Sequence, residues 1–301
     1  MKQDRASQTA YRVAISRAAH QLLDAPKVLD DPIALRIVGT EGVAIIRAGG
    51  RQFSSRFARR LRAFFVGRSR FAEDELAQAV RRGVRQYVIL GAGLDTFAYR
   101  NPYPASRLRV FEVDHPSTQA WKRKQLDAAE IAIPFALTFV PVNFETQTLA
   151  AQLRLAGFRA EEPTFFSWLG VTMYLTPEVV MATMTFIASA TRGGGGIVFD
   201  YMTPMSREGI FRRLRLRLLT CWLAAVGEPW RSFFETDILM RELKDIGFTD
   251  VADMGPEDLN SRYFQGRTDK LDASGPGHLM CAQGAPAVRS RDHANIDSAK
   301  I

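Results

Sequence analysis

Cysteine is scarce in this chain of 301 residues, with only Cys221 and Cys281 present. Two thiols cannot build a disulfide framework, and their separation lacks metal-ligand spacing, so both read as buried thiols and no metal site is expected. Histidine is scarce too. His20, His115, His278 and His293 are scattered and none is paired in sequence with a nucleophile, which argues against a catalytic triad. No apolar run approaches the roughly 18 to 20 residues a membrane-crossing helix needs. The longest candidate, Leu218–Val226, is far too short. The N-terminus mixes charged and apolar residues through Ala19 without the continuous apolar core of a secretory signal, and the cytoplasm is the expected location.

Acids are the minority charge. Lys and Arg number 40 against 32 Asp and Glu, giving a formal charge of +8 and a pI near 9.8. Such a surface attracts anions at long range. No nucleic-acid-binding motif accompanies it, and the excess reads as a solvated basic surface. A content of 47% hydrophobic and 24% charged residues is that of a globular protein with a sizeable core.

The stretch Arg85–Arg100 organises the rest. Tyr87 to Leu90 forms a short apolar run suited to a buried strand, and it stops at Gly91-Ala92-Gly93. Glycine at 91 can take backbone angles closed to other residues, and glycine at 93 leaves the main chain open to a ligand. A second strand, Arg107–Val113, ends at Asp114, about twenty positions after the glycines, where a ribose-binding carboxylate is expected. A third strand over Ala136–Val142 leads to Asn143 and Phe144, a polar and an aromatic residue able to bond and stack on an adenine.

Pro163–Leu169 is apolar throughout, as a strand buried on both faces should be. It continues into Tyr174, placed by this reading at the carboxyl end of that strand, and a helix starts at Thr176-Pro177-Glu178. Ile197–Tyr201, Phe248–Met254 and His278–Gln283 supply three more strands, the last two joined without an obvious helix and suggesting a hairpin edge. The repeating units predict an α/β, doubly wound sheet over residues 83–284, preceded by a helical cap over 1–82 and followed by a disordered polar tail over 285–301. Arg47–Arg70 reads as one basic amphipathic helix and Phe71–Arg82 as another. At the end of the first, a guanidinium from Arg68 or Arg70 could reach a carboxylate in the site. The basic amphipathic segment 207–226 reads as a lid.

Three stretches carry a resemblance: GAGLDTFAYR at Gly91–Arg100, FEVDHP at Phe111–Pro116 and SWLGVTMYLTPE at Ser167–Glu178. Together with Ser261–Leu271 they resemble the leucine carboxyl methyltransferase family over most of the chain, from about Arg68 to Cys281. The resemblance implies a class I methyltransferase (Rossmann-like) sheet with an antiparallel last strand, and S-adenosyl-L-methionine as cofactor. It implies cofactor contacts at Gly91, Gly93, Asp114, Asn143 and Phe144, with Arg68 or Arg70 on the methionine carboxylate. Two positions depart from the pattern: Asn143-Phe144 stands where many relatives have Asp-Leu, and Leu169 where many have glutamate.

Methyl transfer from a sulfonium to an ionised carboxylate asks for alignment and exclusion of water, not for an acid–base set. The expected reaction is O-methylation of a carboxylate on a small molecule or peptide. A phenol or alcohol acceptor would require a base, and Tyr174 or His115 would be the first residues to consider. A catalytically degenerate module that binds cofactor or a partner is the competing reading. An NAD-dependent oxidoreductase fits less well, because Thr96 stands where a dinucleotide turn has its third glycine.

Overall fold

The computed structural model describes residues 8–143, 146–204 and 230–284. Phe144, Cys221, the segment 207–226 and the tail 285–301 lie outside the described residues. Five apolar runs form parallel strands: β1 (Gln86–Leu90), β2 (Arg109–Asp114), β3 (Leu137–Pro141), β4 (Thr164–Trp168) and β5 (Gly195–Met202). With β6 (Phe248–Met254) and β7 (Gly277–Gly284) they make one seven-stranded sheet in the order β3-β2-β1-β4-β5-β7-β6. β7 runs antiparallel to both of its neighbours, β5 and β6. This is the class I methyltransferase arrangement.

Every residue of β1 and of β4 is buried, which explains why both read as unbroken apolar runs without alternation. β1 pairs with β2 on one side and with β4 on the other, so the winding reverses there. Connections leave in opposite directions at such a point and open a crevice past the carboxyl ends of the strands.

The N-terminal helices are α1 (Gln8–Leu23), α2 (Pro32–Ile37), α3 (Gly39–Ala48), α4 (Arg51–Ser54) and α5 (Arg56–Arg81). The two helices expected over Arg47–Arg70 and Phe71–Arg82 are divided differently in the structure. Gly49 and Gly50 take positive φ and end α3. The Ser55 hydroxyl then accepts from Ala58 N at 3.2 Å, capping a single helix of 26 residues that runs through both expected segments. Gly67 inside it is no stop signal. Its missing side chain lets Leu259 pack against the helix.

The later helices are α6 (Pro116–Ala128), α7 (Leu149–Leu155), α8 (Pro177–Ala190), α9 (Thr236–Asp245) and α10 (Pro256–Tyr263). α10 lies between β6 and β7, where the sequence showed no obvious helix; Gly255 N donates to the Asp258 carboxylate at 3.1 Å and closes its first turn. No helix among the described residues is long and apolar enough to cross a membrane.

Buried charges hold the N-terminal helices to the sheet domain. Asp31, fully buried, accepts from Ala34 N at 3.1 Å as the cap of α2 and from the Thr96 hydroxyl at 2.7 Å. The same carboxylate pairs with Arg17 of α1 and with Arg100, each at 3.2 Å. A second buried set ties α1 to α5. His20 Nε2 accepts from Val28 N at 2.9 Å, so its proton sits on Nδ1 and is donated to Asp24 at 2.8 Å. Asp24 also takes two bonds from Arg62, at 2.7 and 2.8 Å. This His–Asp pair resembles a catalytic dyad but is sealed in the interior and serves packing.

Removing one partner from a buried ion pair leaves the others unpaired. Asp31→Ala should therefore lower the unfolding free energy by about 3–5 kcal/mol in chemical denaturation, well above the ~1 kcal/mol lost with a cap alone. A loss of about 1 kcal/mol would reduce Asp31 to a cap.

Candidate functional site

The residues after β1 turn sharply at Gly91 (φ 66°) and Gly93 (φ 47°). Gly91 N and Ala92 N both donate to Val113 O, at 2.8 and 3.1 Å, which docks the turn on the end of β2. A Cβ at Gly91 would overlap the Val171 side chain, and one at Gly93 would come within 3.1 Å of Ala10 in α1. Positive φ and close neighbours both select glycine at these two positions.

Asp114 ends β2 beside this turn. Its carboxylate accepts from Gly93 N at 2.6 Å and from His115 N at 2.7 Å, so it is anchored to the glycine turn by one oxygen and to the start of α6 by the other. The Thr118 side chain bonds the same carboxylate, which still has acceptor capacity for a ligand donor. Burial raises the Asp114 carboxyl above the ordinary aspartate range, and the two backbone donors oppose that rise. Val142 N donates to Asp114 O at 2.9 Å, which sets Asn143 on the next loop alongside. The glycine turn, Asp114 and Asn143 thus converge on one edge of the sheet.

Arg68 and Arg70 part company. Arg68 is 5% exposed and reaches the carboxyl ends of β4 and β5: its Nη1 donates to Asp200 Oδ2 at 2.5 Å. The guanidinium lies over the Phe65 ring at 4.8 Å and against Gly170, where an added Cβ would fall 2.9 Å from Nη2. Its buried Nε has no hydrogen-bond partner. Arg70 occupies the opposite side of α5, with 46% of its side chain exposed and its Nε on Asp74 at 2.9 Å. A helix turns about 200° in two residues, so the two could not have shared a face.

Tyr174 is not on the strand. β4 ends at Trp168, and Tyr174 closes a short 3₁₀ turn, Thr172–Tyr174, where the chain leaves the sheet. Gly170 has φ 76° and bends the backbone out of the ladder before that turn. His115 is occupied as the cap of α6, its Nδ1 within 2.7 Å of the Ser117 hydroxyl.

Asp200 is the residue that sequence reasoning passed over. Fully buried near the end of β5, it accepts from Arg68 and, through its other oxygen, from Gly170 N at 2.6 Å. Its own carbonyl accepts the Thr172 hydroxyl at 2.5 Å. The signal was present: a lone acid near the end of an apolar strand run, the same pattern that drew attention to Asp114. Arg17 was also missed. It donates to Leu94 O at 3.2 Å and to the Thr96 hydroxyl at 2.8 Å, bracing the glycine turn from α1.

A nucleoside bearing an amino-acid tail fits these groups. Asp114 retains acceptor capacity for vicinal hydroxyls beside the glycine turn, and Arg68 has an unpartnered buried nitrogen near the carboxyl ends of β4 and β5. The relatives agree. The model of the leucine carboxyl methyltransferase family matches residues 10–188. A Bacillus subtilis protein named as an S-adenosyl-L-methionine-dependent methyltransferase, YktD, is 33% identical, the match covering 94% of this chain and 99% of that one. A Mycolicibacterium smegmatis protein named in the same way is 30% identical over 96% of this chain and 92% of its own. Among solved structures, the CurJ carbon methyltransferase is similar at 16% identity with a TM-score of 0.48, the match covering 92% of this chain and 67% of that one.

The family match and the relatives' names make this a methyltransferase that depends on S-adenosyl-L-methionine. The chain belongs to the leucine carboxyl methyltransferase family.

Two residues before Asp114, the fully buried Glu112 pairs with Lys122 at 2.6 Å and leaves its other oxygen unpartnered. Burial pushes its carboxyl up to about 7, with Lys122 opposing. The native state therefore keeps this proton over a range where the unfolded chain has released it, and the group's contribution to stability declines as pH rises from the ordinary glutamate value to about 7. Glu112→Gln should flatten the pH profile of unfolding free energy in that window. Parallel profiles for the two proteins would show that Glu112 is charged throughout.

Proposed function

We propose that this methyltransferase methylates a carboxylate oxygen of a small molecule or peptide. The observation that carries the reading is the state of the histidines among the described residues. His20 is locked inside the protein, His115 caps a helix, and His278 is bonded to Asp253 at 2.9 Å on β7, separated from β4 by β5. None stands at the β1–β4 crevice as a general base, and an acceptor that is already ionised near neutral pH requires none.

The bound cofactor supplies a methyl group on a positively charged sulfur. In this reading Arg68 holds its carboxylate, Asp114 its ribose hydroxyls, and Asn143 with Phe144 its adenine. The backbone of the glycine turn at Gly91 and Gly93 would border it. Asp200 fixes the direction of the Arg68 guanidinium and so acts as a positioning residue. Tyr174, on the turn after β4, is placed where a hydroxyl could orient the acceptor, and the helices before residue 82 cap the crevice. Leu169, packed against the core, stands where many members of the family have glutamate, so one charged contact to the cofactor or the acceptor is missing here.

Titration with S-adenosyl-L-methionine checks the cofactor roles. Arg68→Ala and Asp114→Ala should each weaken binding at least about tenfold, as loss of a charged hydrogen bond implies. Arg70→Ala should leave affinity within about twofold, as a surface pair implies. Equal effects at 68 and 70 would remove Arg68 from the methionine end. The oxygen acceptor is checked separately by following a labelled methyl group into a panel of carboxylic acids. An ester releases labelled methanol in alkali, and a product stable to alkali would contradict carboxylate methylation.

A further inference from the structure

Thr118, Gln119 and Lys122 lie on one face of α6, in line with its cap His115 at spacings of three, one and three. In a helix packed on a sheet, this is the face that ordinarily carries apolar side chains. Here the three side chains are polar, and the residues are 2%, 5% and 1% exposed. Burying polar groups costs free energy unless each is bonded, a demand that an apolar face would not make. The bonds that meet this demand all run to one place.

That place is the end of β2. His115 N donates to the Asp114 carboxylate at 2.7 Å, and the Thr118 side chain bonds that carboxylate too. Further along the helix, Gln119 Nε2 donates to Glu112 O at 2.8 Å, and Lys122 Nζ to the Glu112 carboxylate at 2.6 Å. Side chains alternate along a strand, so Glu112 and Asp114 stand on the same face of β2, about 7 Å apart. The Lys122 ammonium also lies over the Tyr99 ring, 5.3 Å from its centroid, on the 3₁₀ turn Phe97–Arg100 that follows the glycine turn. Burial raises the Asp114 carboxyl, and Lys122 is among the groups that oppose the rise, so its charge is felt there.

We propose that this buried polar face aims the Asp114 carboxylate at the ribose of the cofactor, with Thr118 and Lys122 as its positioning residues. Thr118 completes a three-point hold on the carboxylate together with the amides of Gly93 and His115. Lys122 acts one step further back, fixing α6 against β2 through Glu112. This rests on the reading above that Asp114 takes the ribose hydroxyls, and adds what sets their geometry. A carboxylate held at one rotation meets two neighbouring hydroxyls without being ordered anew when the ligand arrives.

The test is calorimetric titration of the full chain with S-adenosylhomocysteine and with its 2′,3′-dideoxy analogue, because the ratio of the two affinities isolates the ribose contacts. The wild-type ratio should be at least about tenfold, as a charged hydrogen bond implies. Thr118→Val and Lys122→Met should each shrink it at least about threefold, and Thr118→Ser, which keeps the hydroxyl, should hold it within about twofold of the wild type. A merely structural role would weaken both ligands together and leave the ratio standing, and that result overturns the inference while sparing the cofactor site. Lys122→Met leaves Glu112 unpaired, so should it fail to fold, an unchanged ratio in Thr118→Val is decisive against the inference by itself. A wild-type protein that binds the two ligands equally would instead take Asp114 off the ribose, and the inference with it.

Discussion

The Arg68–Asp200 pair is the contact on which the geometry of the site depends. A buried guanidinium persists only if its charge is met, and Asp200 meets it at 2.5 Å with both side chains almost free of solvent. The same carboxylate takes the Gly170 amide, and the backbone of the same residue takes the Thr172 hydroxyl. One aspartate thereby fixes a helix, the exit from β4 and the turn that carries Tyr174. Because a charged pair in a low-dielectric setting tolerates little displacement, the nitrogen left over on Arg68 is held in place before any ligand arrives.

A second set of charges makes the cofactor edge inseparable from the N-terminal helices. Asp31, Arg17, Thr96 and Arg100 join α1 and α2 to the chain just after the glycine turn. Ala10 closes against Gly93 from the same helix. Those helices complete the hydrophobic core around Ala18, Ile37 and Ile46 as well as bracing the glycine turn. α5 divides along its length. Its later turns bury Phe71, Leu76 and Val80 in the sheet core, and its first turns leave Phe57 and Leu61 exposed.

Much of the fold was legible because the central strands β1 and β4 are buried on both faces and announce themselves as unbroken apolar runs closely followed by glycine. Thr176-Pro177 marked a helix start correctly for a local reason, a polar residue before proline. The helical boundary near Phe71 was not legible. Both halves of α5 are amphipathic, and nothing local distinguishes one long helix from two. α10 was hidden because its cap is a backbone amide bonding to Asp258, with no hydroxyl or amide side chain ahead of Pro256 to signal it. The choice between Arg68 and Arg70 required knowing which face of α5 meets the sheet. The acid at 200 was visible in its strand run, but its pairing with Arg68 was not, because that depends on strand order and not on spacing. Phe144 lies outside the described residues and keeps the standing the sequence gives it.

The central claim is that a methyl donor is held at the β1–β4 crevice by groups already in place. A crystal structure of the protein with S-adenosylhomocysteine tests it most directly. The account predicts the ribose hydroxyls on Asp114, the amino-acid carboxylate on the free side of Arg68, and the Arg68–Asp200 pair intact. A ligand seated elsewhere on the sheet edge, or one whose carboxylate is bound by Arg70 with Arg68 withdrawn, would contradict it.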